Sequence, residues 1–295
     1  MDEQTMVDSY GVEVFSRSWP VDSPTGLVVI AHGASEHSGR YDRFATALNE
    51  AGFAAVAIDH RGHGRTGKAT GPGLVGPGGG QAVIDDLHQL RADAVAKLAD
   101  GTPVFLFGHS LGALIGLAYL TQHSDGLAGG VLCGMAADVK EVAGTGALLQ
   151  SFADAGMRDL SAGDLLAANN AAFEPARTPF DWLSRDNAEV DRYIADPLCG
   201  DGNPLTFGYL IDLFDVVGPA AANLGAISCP VFVIAGDQDP AAVMGAHATA
   251  LATALAAHAV PVECQLYAGA RHELLNETNR EEVTADIVTW LQSHL

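Results

Sequence analysis

Positive charge is scarce in this chain: 15 Lys and Arg stand against 36 Asp and Glu, a net charge of −21 over 295 residues. A surface of that sign repels polyanions, which argues against nucleic acid as a partner. Cysteine is sparse too. Cys133, Cys199, Cys229 and Cys264 lie far apart with no C-x-x-C pair, so neither a disulfide framework nor a zinc site is expected. They read as reduced, mostly buried thiols of an intracellular, cytoplasmic protein. No uninterrupted apolar run reaches the roughly 18 residues of a membrane span. The opening "MDEQTMVDSY" is acidic and has no apolar h-region, so no secretory signal is visible. Charged residues make up only 17% against 48% hydrophobic ones, a composition that builds a core and does not stay disordered.

What is present is an alternation of short apolar runs and helical patterns. "TMVDSY" and "VEVFSRSW" flank Gly11 and predict an N-terminal hairpin. "GLVVIAH", "FAAVAID", "PVFLF", "GGVLCGM", "CPVFVIAG" and "VECQLY" predict buried strands. Between them, Phe44 and Leu48 mark a helix stopped by Gly52, and Val83, Leu87, Leu90 and Ala94 mark another ending at Gly101. "SLGALIGLAYLTQH" is apolar nearly all round, as a buried helix is. A last helix opens at Thr278 with Glu281 as a capping box and buries Val283, Ile287, Trp290 and Leu291. The fold class is therefore α/β, with a mostly parallel sheet flanked by helices. Residues 137–226 break the alternation with short helical patterns and no convincing strand. That is too long for a loop and reads as a helical insertion between core segments 1–136 and 227–295, with Phe207, Leu210, Ile211 and Phe214 on one apolar face.

The chemistry starts at "FLFGHSLGA", where Gly108-His109-Ser110-Leu111-Gly112 sits between a strand and a helix. A G-x-S-x-G in that context lifts the serine hydroxyl above the sheet on a strained turn, and the glycines let strand and helix pass closely. The bland alternative is an N-capping serine. A serine hydroxyl needs a base, and the base an orienting acid, in the chain order Ser, acid, His. His272, in "AGARHELLNE" after the last strand, is the candidate base. His247 and His258 fall in or at the end of a helical pattern, and His294 lies at the terminus. For the acid, "VFVIAGDQDPAA" offers Asp237 and Asp239. Asp239 also suits the N-cap of a helix opening at Pro240, and spacing alone does not choose between the two carboxylates. The oxyanion hole needs two backbone N–H donors: Leu111 supplies one, and Ala34, after the sharp turn at Gly33 in "VVIAHGASEHSGRY", the other.

"GHGRTGKA", residues 62–69, nearly spells the phosphate-binding pattern G-x-x-x-x-G-K-[ST]. A phosphate loop runs straight into a helix, yet "TGPGLVGPGGG" follows, no helix is expected before about Gln81, and Ala69 lacks the hydroxyl that holds Mg²⁺. Phosphate binding is not expected here. His60 and His63 lack metal-pair spacing and read as hydrogen-bond partners.

"HGASEHSGRY", "DHRGHGRT", "GHSLG", "GDQDP" and "ARHELLNE", in this order, resemble the serine α/β-hydrolases, and within them the monoacylglycerol lipase and lysophospholipase-like group. The insertion's "LSRDNAEVDRYIADPL" looks like the lid of monoacylglycerol lipases, with Tyr193 matching a lid tyrosine. The resemblance spans Val12 to Leu291 and favours Asp239 over Asp237 as the acid, because the family's acid closes a G-x-x-D that maps onto Gly236 and Asp239. One departure is Ala113, where the family usually has a second glycine. What the resemblance implies is a serine esterase acting through Ser110, His272 and Asp239, with an acyl-enzyme intermediate and a lid over an apolar pocket. Its substrate would be a small-molecule ester with one greasy arm, monoacylglycerol-like. No cofactor, no metal and no nucleic acid are implied, and the lid leaves room for transient membrane contact. A lysophospholipase, an amidase or aminopeptidase on the same residues, and a non-catalytic binding module are the rivals. Glu36 is the sort of acidic residue an α-amino anchor would need, though no motif directs it.

Overall fold

The computed structural model describes residues 1–295, the side chain of Ala143 excepted. Among the described residues the strands β1 (Asp2–Val7), β2 (Glu13–Trp19), β3 (Gly26–Ala31), β4 (Phe53–Ile58), β5 (Val104–His109), β6 (Gly129–Cys133), β7 (Val231–Gly236) and β8 (Val262–Tyr267) form one sheet. Its order is β1-β2-β4-β3-β5-β6-β7-β8, parallel from β4 through β8. The hairpin β1–β2 adds antiparallel strands at one edge and turns at Gly11.

Side-chain alternation along the strands decides the layers. In β3, Leu27, Val29 and Ala31 join one apolar cluster and Val28 and Ile30 the other; in β5, Val104 and Leu106 oppose Phe105 and Phe107. Helices α1 (Asp42–Glu50) and α10 (Arg280–Ser293) cover the face bearing the phenylalanines. The other face carries α3 (Gly79–Val95), α4 (Leu111–His123) and α9 (Ala246–Ala257). A one-turn helix, α2 (Thr66–Thr70), precedes α3. Five central strands are buried along their whole length, whereas edge strand β8 exposes Glu263, Cys264 and Gln265.

Between β6 and β7 the chain is helical: α5 (Val142–Asp154), α6 (Gly163–Ala167), α7 (Asn187–Ala195) and α8 (Phe207–Ala221), with one isolated bridge between Ser161 and Thr206. Of the expected α8 face, Phe207, Ile211 and Phe214 are buried and Leu210 is half-buried. No described helix is long and apolar enough to cross a membrane.

Three local expectations need correction. The helix predicted to run to Gly101 ends at Val95, because Lys97, Leu98 and Thr102 amides bond three residues back and tighten the chain into turns. The Thr278–Glu281 capping box does not form. The helix begins two residues later behind Asn279, and the Thr278 amide and hydroxyl turn to Glu277. No helix opens at Pro240; turns fill that stretch and α9 starts at Ala246.

Candidate active site

The strand–helix junction after β5 is built by what cannot fit there. A Cβ on Gly108 would lie 2.2 Å from the Gly112 carbonyl oxygen, and one on Gly112 would lie 2.1 Å from that of Ala31. Only glycine lets α4 cross the sheet this closely. Ala113, the departure from the family pattern, is fully buried in the core without displacing the turn. Ser110 sits between them at φ 53° and ψ −114°, a conformation that non-glycine residues rarely hold. Its amide is tied to the Cys133 carbonyl at 2.8 Å.

The three predicted side chains come together from loops after β5, β7 and β8. His272 Nε2 lies 2.8 Å from Ser110 Oγ, and His272 Nδ1 lies 2.8 Å from Asp239 Oδ2. A carboxylate only accepts, so Nδ1 carries the proton and Nε2 is free to accept from the serine. All three are buried. Burial alone would push the His272 imidazole down. The Asp239 charge and hydrogen bond, with Glu273 and Glu36, more than offset this and hold it above the ordinary histidine range. Asp237 turns away and accepts the Gly269 amide at 2.7 Å. The amides of Ala34 and Leu111 have no hydrogen-bond partner among the described residues, as donors reserved for a ligand would.

Sequence reasoning missed the support beneath this loop. Glu36, undirected in the sequence, is buried and fully engaged. Its Oε1 accepts the Gly33 amide at 2.6 Å and the Tyr41 hydroxyl at 2.9 Å, and its Oε2 meets Arg40 at 2.7 Å. Arg40 also grips Glu273, the neighbour of His272, through both terminal guanidinium nitrogens. Burial would raise the Glu36 carboxyl, but Arg40 and nearby histidines hold it down at about 2. The Ala34 loop and the His272 loop thus share one buried ionic clamp. A signal existed in the residues of "SEHSGRY", whose Glu36 and Arg40 are four apart. Nothing in the chain marked Glu273 as their third member.

The α5–α8 segment closes over these residues. Tyr193 donates its hydroxyl to the Ser35 carbonyl at 3.0 Å, and the Gly200 amide reaches the same oxygen at 2.9 Å. A cavity of about 230 Å³ lies between, with Ser110, His272 and Ala34 on one side and Leu166, Phe180 and Leu205 on the other.

Two other clusters have the look of binding sites. "GHGRTGKA" does hold an anion, but the anion is the protein's own: the buried Asp59 carboxylate accepts the Arg65 amide at 2.8 Å and the Ser38 amide at 2.9 Å. A helical turn, α2, does form inside the stretch, contrary to the expectation of none before Gln81. It is pinned by Thr66 accepting the Phe15 amide, and Gly71 ends it. His63 meets the Arg61 carbonyl as expected, but neither ring nitrogen of His60 has a partner among the described residues. His37, Asp196 and Cys199 bring potential metal ligands within 4.8 Å of one another. His37 Nδ1, however, accepts the Gly39 amide, so its Nε2 carries the proton that bonds Asp196 at 2.9 Å. A ligating imidazole donates through its second nitrogen, and here that nitrogen is an acceptor. The cluster is arranged as a polar clasp.

An eight-stranded, mostly parallel sheet with a strained serine elbow defines an α/β-hydrolase. Residues 22–279 match the family described as serine aminopeptidase, S33, and the chain belongs to that family. It is 30% identical over 292 residues to a monoacylglycerol lipase of Mycolicibacterium smegmatis, covering 97% of this chain and 95% of the relative. It is also 30% identical over 242 residues to the human monoglyceride lipase, covering 79% and 72%. The crystal structure of a thermostable carboxyl esterase from Bacillus coagulans in complex with glycerol superposes with a TM-score of 0.87 at 28% identity, over 99% of this chain and 98% of that one. The protein is a carboxylic ester hydrolase of the monoacylglycerol lipase-like group.

Proposed function

We propose that the protein cleaves esters bearing a single acyl chain, monoacylglycerols foremost, with Ser110 as nucleophile, His272 as base and Asp239 as orienting acid. The observation that carries this reading is the unbroken relay from Asp239 through His272 to Ser110, with 2.8 Å at each contact. Ser110 Oγ attacks the ester carbonyl while its proton passes to His272 Nε2. Asp239 keeps the imidazole tautomer and stabilises the imidazolium, and the Ala34 and Leu111 amides hold the tetrahedral oxyanion. The imidazolium then protonates the leaving alcohol, and a water repeats the steps on the acyl-enzyme. No step calls for a metal or an organic cofactor.

Residues 137–226 act as the lid. Leu166, Phe180, Leu183 and Leu205 from this segment line the cavity facing Ser110, which suits an acyl chain. The relatives' monoacylglycerol lipase names and the glycerol in the Bacillus coagulans esterase support the substrate class. Glu36 cannot serve as the α-amine anchor of an aminopeptidase, because it is already spent on Gly33, Tyr41 and Arg40. The exposed Asp164 and Asp201 are the carboxylates on the cavity wall that such an activity would have to use.

Ser110→Ala should abolish hydrolysis of monoacylglycerol and p-nitrophenyl esters without changing the melting temperature. A fluorophosphonate probe should label the parent at Ser110 only. Retained turnover in the variant would overturn the mechanism, and an unlabelled Ser110 would favour a binding module.

A further inference from the structure

Two aromatic rings pack against His272. One is His109, which precedes the serine, with ring centroids 4.9 Å apart. The other is the indole of Trp182, also at 4.9 Å and tilted by 37°. Trp182 arrives from the α6–α7 connection, and backbone contacts bring it there: the His272 amide points at the Trp182 carbonyl at 3.5 Å, and the Glu273 amide donates to that of Leu183 at 2.8 Å. The indole is 5% exposed, and its Nε1 has no hydrogen-bond partner among the described residues. Packing alone holds it, against Leu183, Tyr193 and Cys199 on one hand and the imidazole on the other.

We infer that Trp182 is a positioning residue for His272, whose indole keeps the imidazole aimed at Ser110 and stabilises the imidazolium formed when the serine proton is taken up. The inference rests on the Ser110–His272–Asp239 mechanism proposed above. A cation over the face of a tryptophan and within about 6 Å of its centroid is attracted by the ring quadrupole more strongly than a neutral imidazole is. The gain therefore grows as charge develops, which is the condition for accelerating the step. The proton leaves Ser110 Oγ for His272 Nε2 as the Oγ–carbon bond forms and the carbonyl electron pair moves onto oxygen, so no further reactant is involved.

The surrounding charges set the background. Asp239 after β7, Glu273 on the same loop and Glu36 on the loop after β3 all favour the imidazolium. Arg40 ties the two glutamates together, and Arg271, over the Phe173 ring, bonds the Asp181 and Ser184 carbonyls beside Trp182. Burial, then His272 itself, pushes His109 down to about 4, so the second ring adds no competing charge at neutral pH. Replacing the indole removes none of these charges, so they are common to the parent and both variants.

The test compares Trp182→Phe and Trp182→Leu in the full chain, reading kcat/KM for a short p-nitrophenyl ester across the acid limb of its pH profile. The leucine variant should lose roughly 2- to 30-fold at the plateau, and its acid-limb midpoint should fall by roughly 0.4 to 1.5 units. The phenylalanine variant should fall between it and the parent in both measures. A rate loss with the midpoint unmoved, or phenylalanine as poor as leucine, would overturn the inference, because a wall residue that only shapes the cavity does exactly that much. Should the leucine variant not fold, the shift in Trp182→Phe decides alone. Fluorophosphonate labelling separates the two failures. An unlabelled Ser110 removes the mechanism and this inference with it, whereas a labelled Ser110 with an unmoved midpoint removes only the role of Trp182.

Discussion

The two oxygens of Asp239 face different partners. Oδ1 accepts the amides of Ala241 and Ala242 at 2.9 and 3.3 Å, while Oδ2 takes His272 Nδ1. Turn-capping and orienting the base, which compete in the sequence, are divided between the two lone-pair sets. Asp239→Asn would put an amide donor against Nδ1, move the imidazole proton to Nε2 and leave nothing to accept from Ser110. We expect kcat to fall about 10⁴-fold with little change in melting temperature. Asp237→Asn keeps an oxygen for the Gly269 amide and should retain most activity; an equal loss in both variants would exchange their roles. Because His272 is held above the ordinary histidine range and is the proposed base, which must be neutral to take the serine proton, activity should fall as pH drops through that raised value.

Elements meet here through glycines more than through large side chains. A Cβ on Gly80, near the start of α3, would lie 1.9 Å from the Asp212 carbonyl oxygen of α8. That contact seats the proposed lid on the core. Gly80→Ala should push α8 away and destabilise the fold by about 1–3 kcal/mol, read as a lower melting temperature. Activity on long-chain esters should suffer more than on short ones, since Pro204 and Leu205, which line the cavity, lead directly into α8. Equal stability in the variant would show that α8 is free to shift. Gly73 plays the same part earlier in the chain, where a Cβ would lie 2.2 Å from the Pro204 carbonyl oxygen.

Across the whole molecule, buried histidines govern the response to acid. Burial lowers His32 and His60, brings His63 to about 3 and His109 to about 4. Each group's folded value lies below its unfolded value near 6.5, so the unfolded chain binds the extra proton. Their contribution is present above pH 6.5 and is lost as pH falls through the folded values, at about 1.4 kcal/mol per pH unit for each histidine. Asp86 runs the other way. Burial, partly offset by Arg61, raises it to about 7, so its contribution is present below its unfolded value and lost as pH rises through 7. The histidines outnumber it, and the melting temperature should drop steeply between pH 6.5 and 4. His60, with both ring nitrogens unpartnered, offers the cleanest check. His60→Leu should be near-neutral at pH 7, since an apolar side chain leaves no polar atom unpaired, and should flatten the acid slope. An unchanged slope would remove His60 from the account.

Much of this architecture was legible in the order of residues. Strand alternation, the G-x-S-x-G turn, His272 after the last strand and the apolar stripes of α8 and α10 are all local patterns, set by steric and hydrophobic periodicity that a short window contains. The pairing of Asp239 with both its turn and His272 was legible only as a contest, because a window shows the competing jobs without the distance that reconciles them. Other features lay beyond any window. The Glu36–Arg40–Glu273 clamp joins residues more than 230 positions apart, Trp182 reaches His272 from a different segment, and Asp59 fills the cradle that "GHGRTGKA" advertises for a phosphate. Burial is the physical reason. Local chemistry names which groups can donate, accept or carry charge, but only the packed chain removes water from around them and so decides which partner each must find.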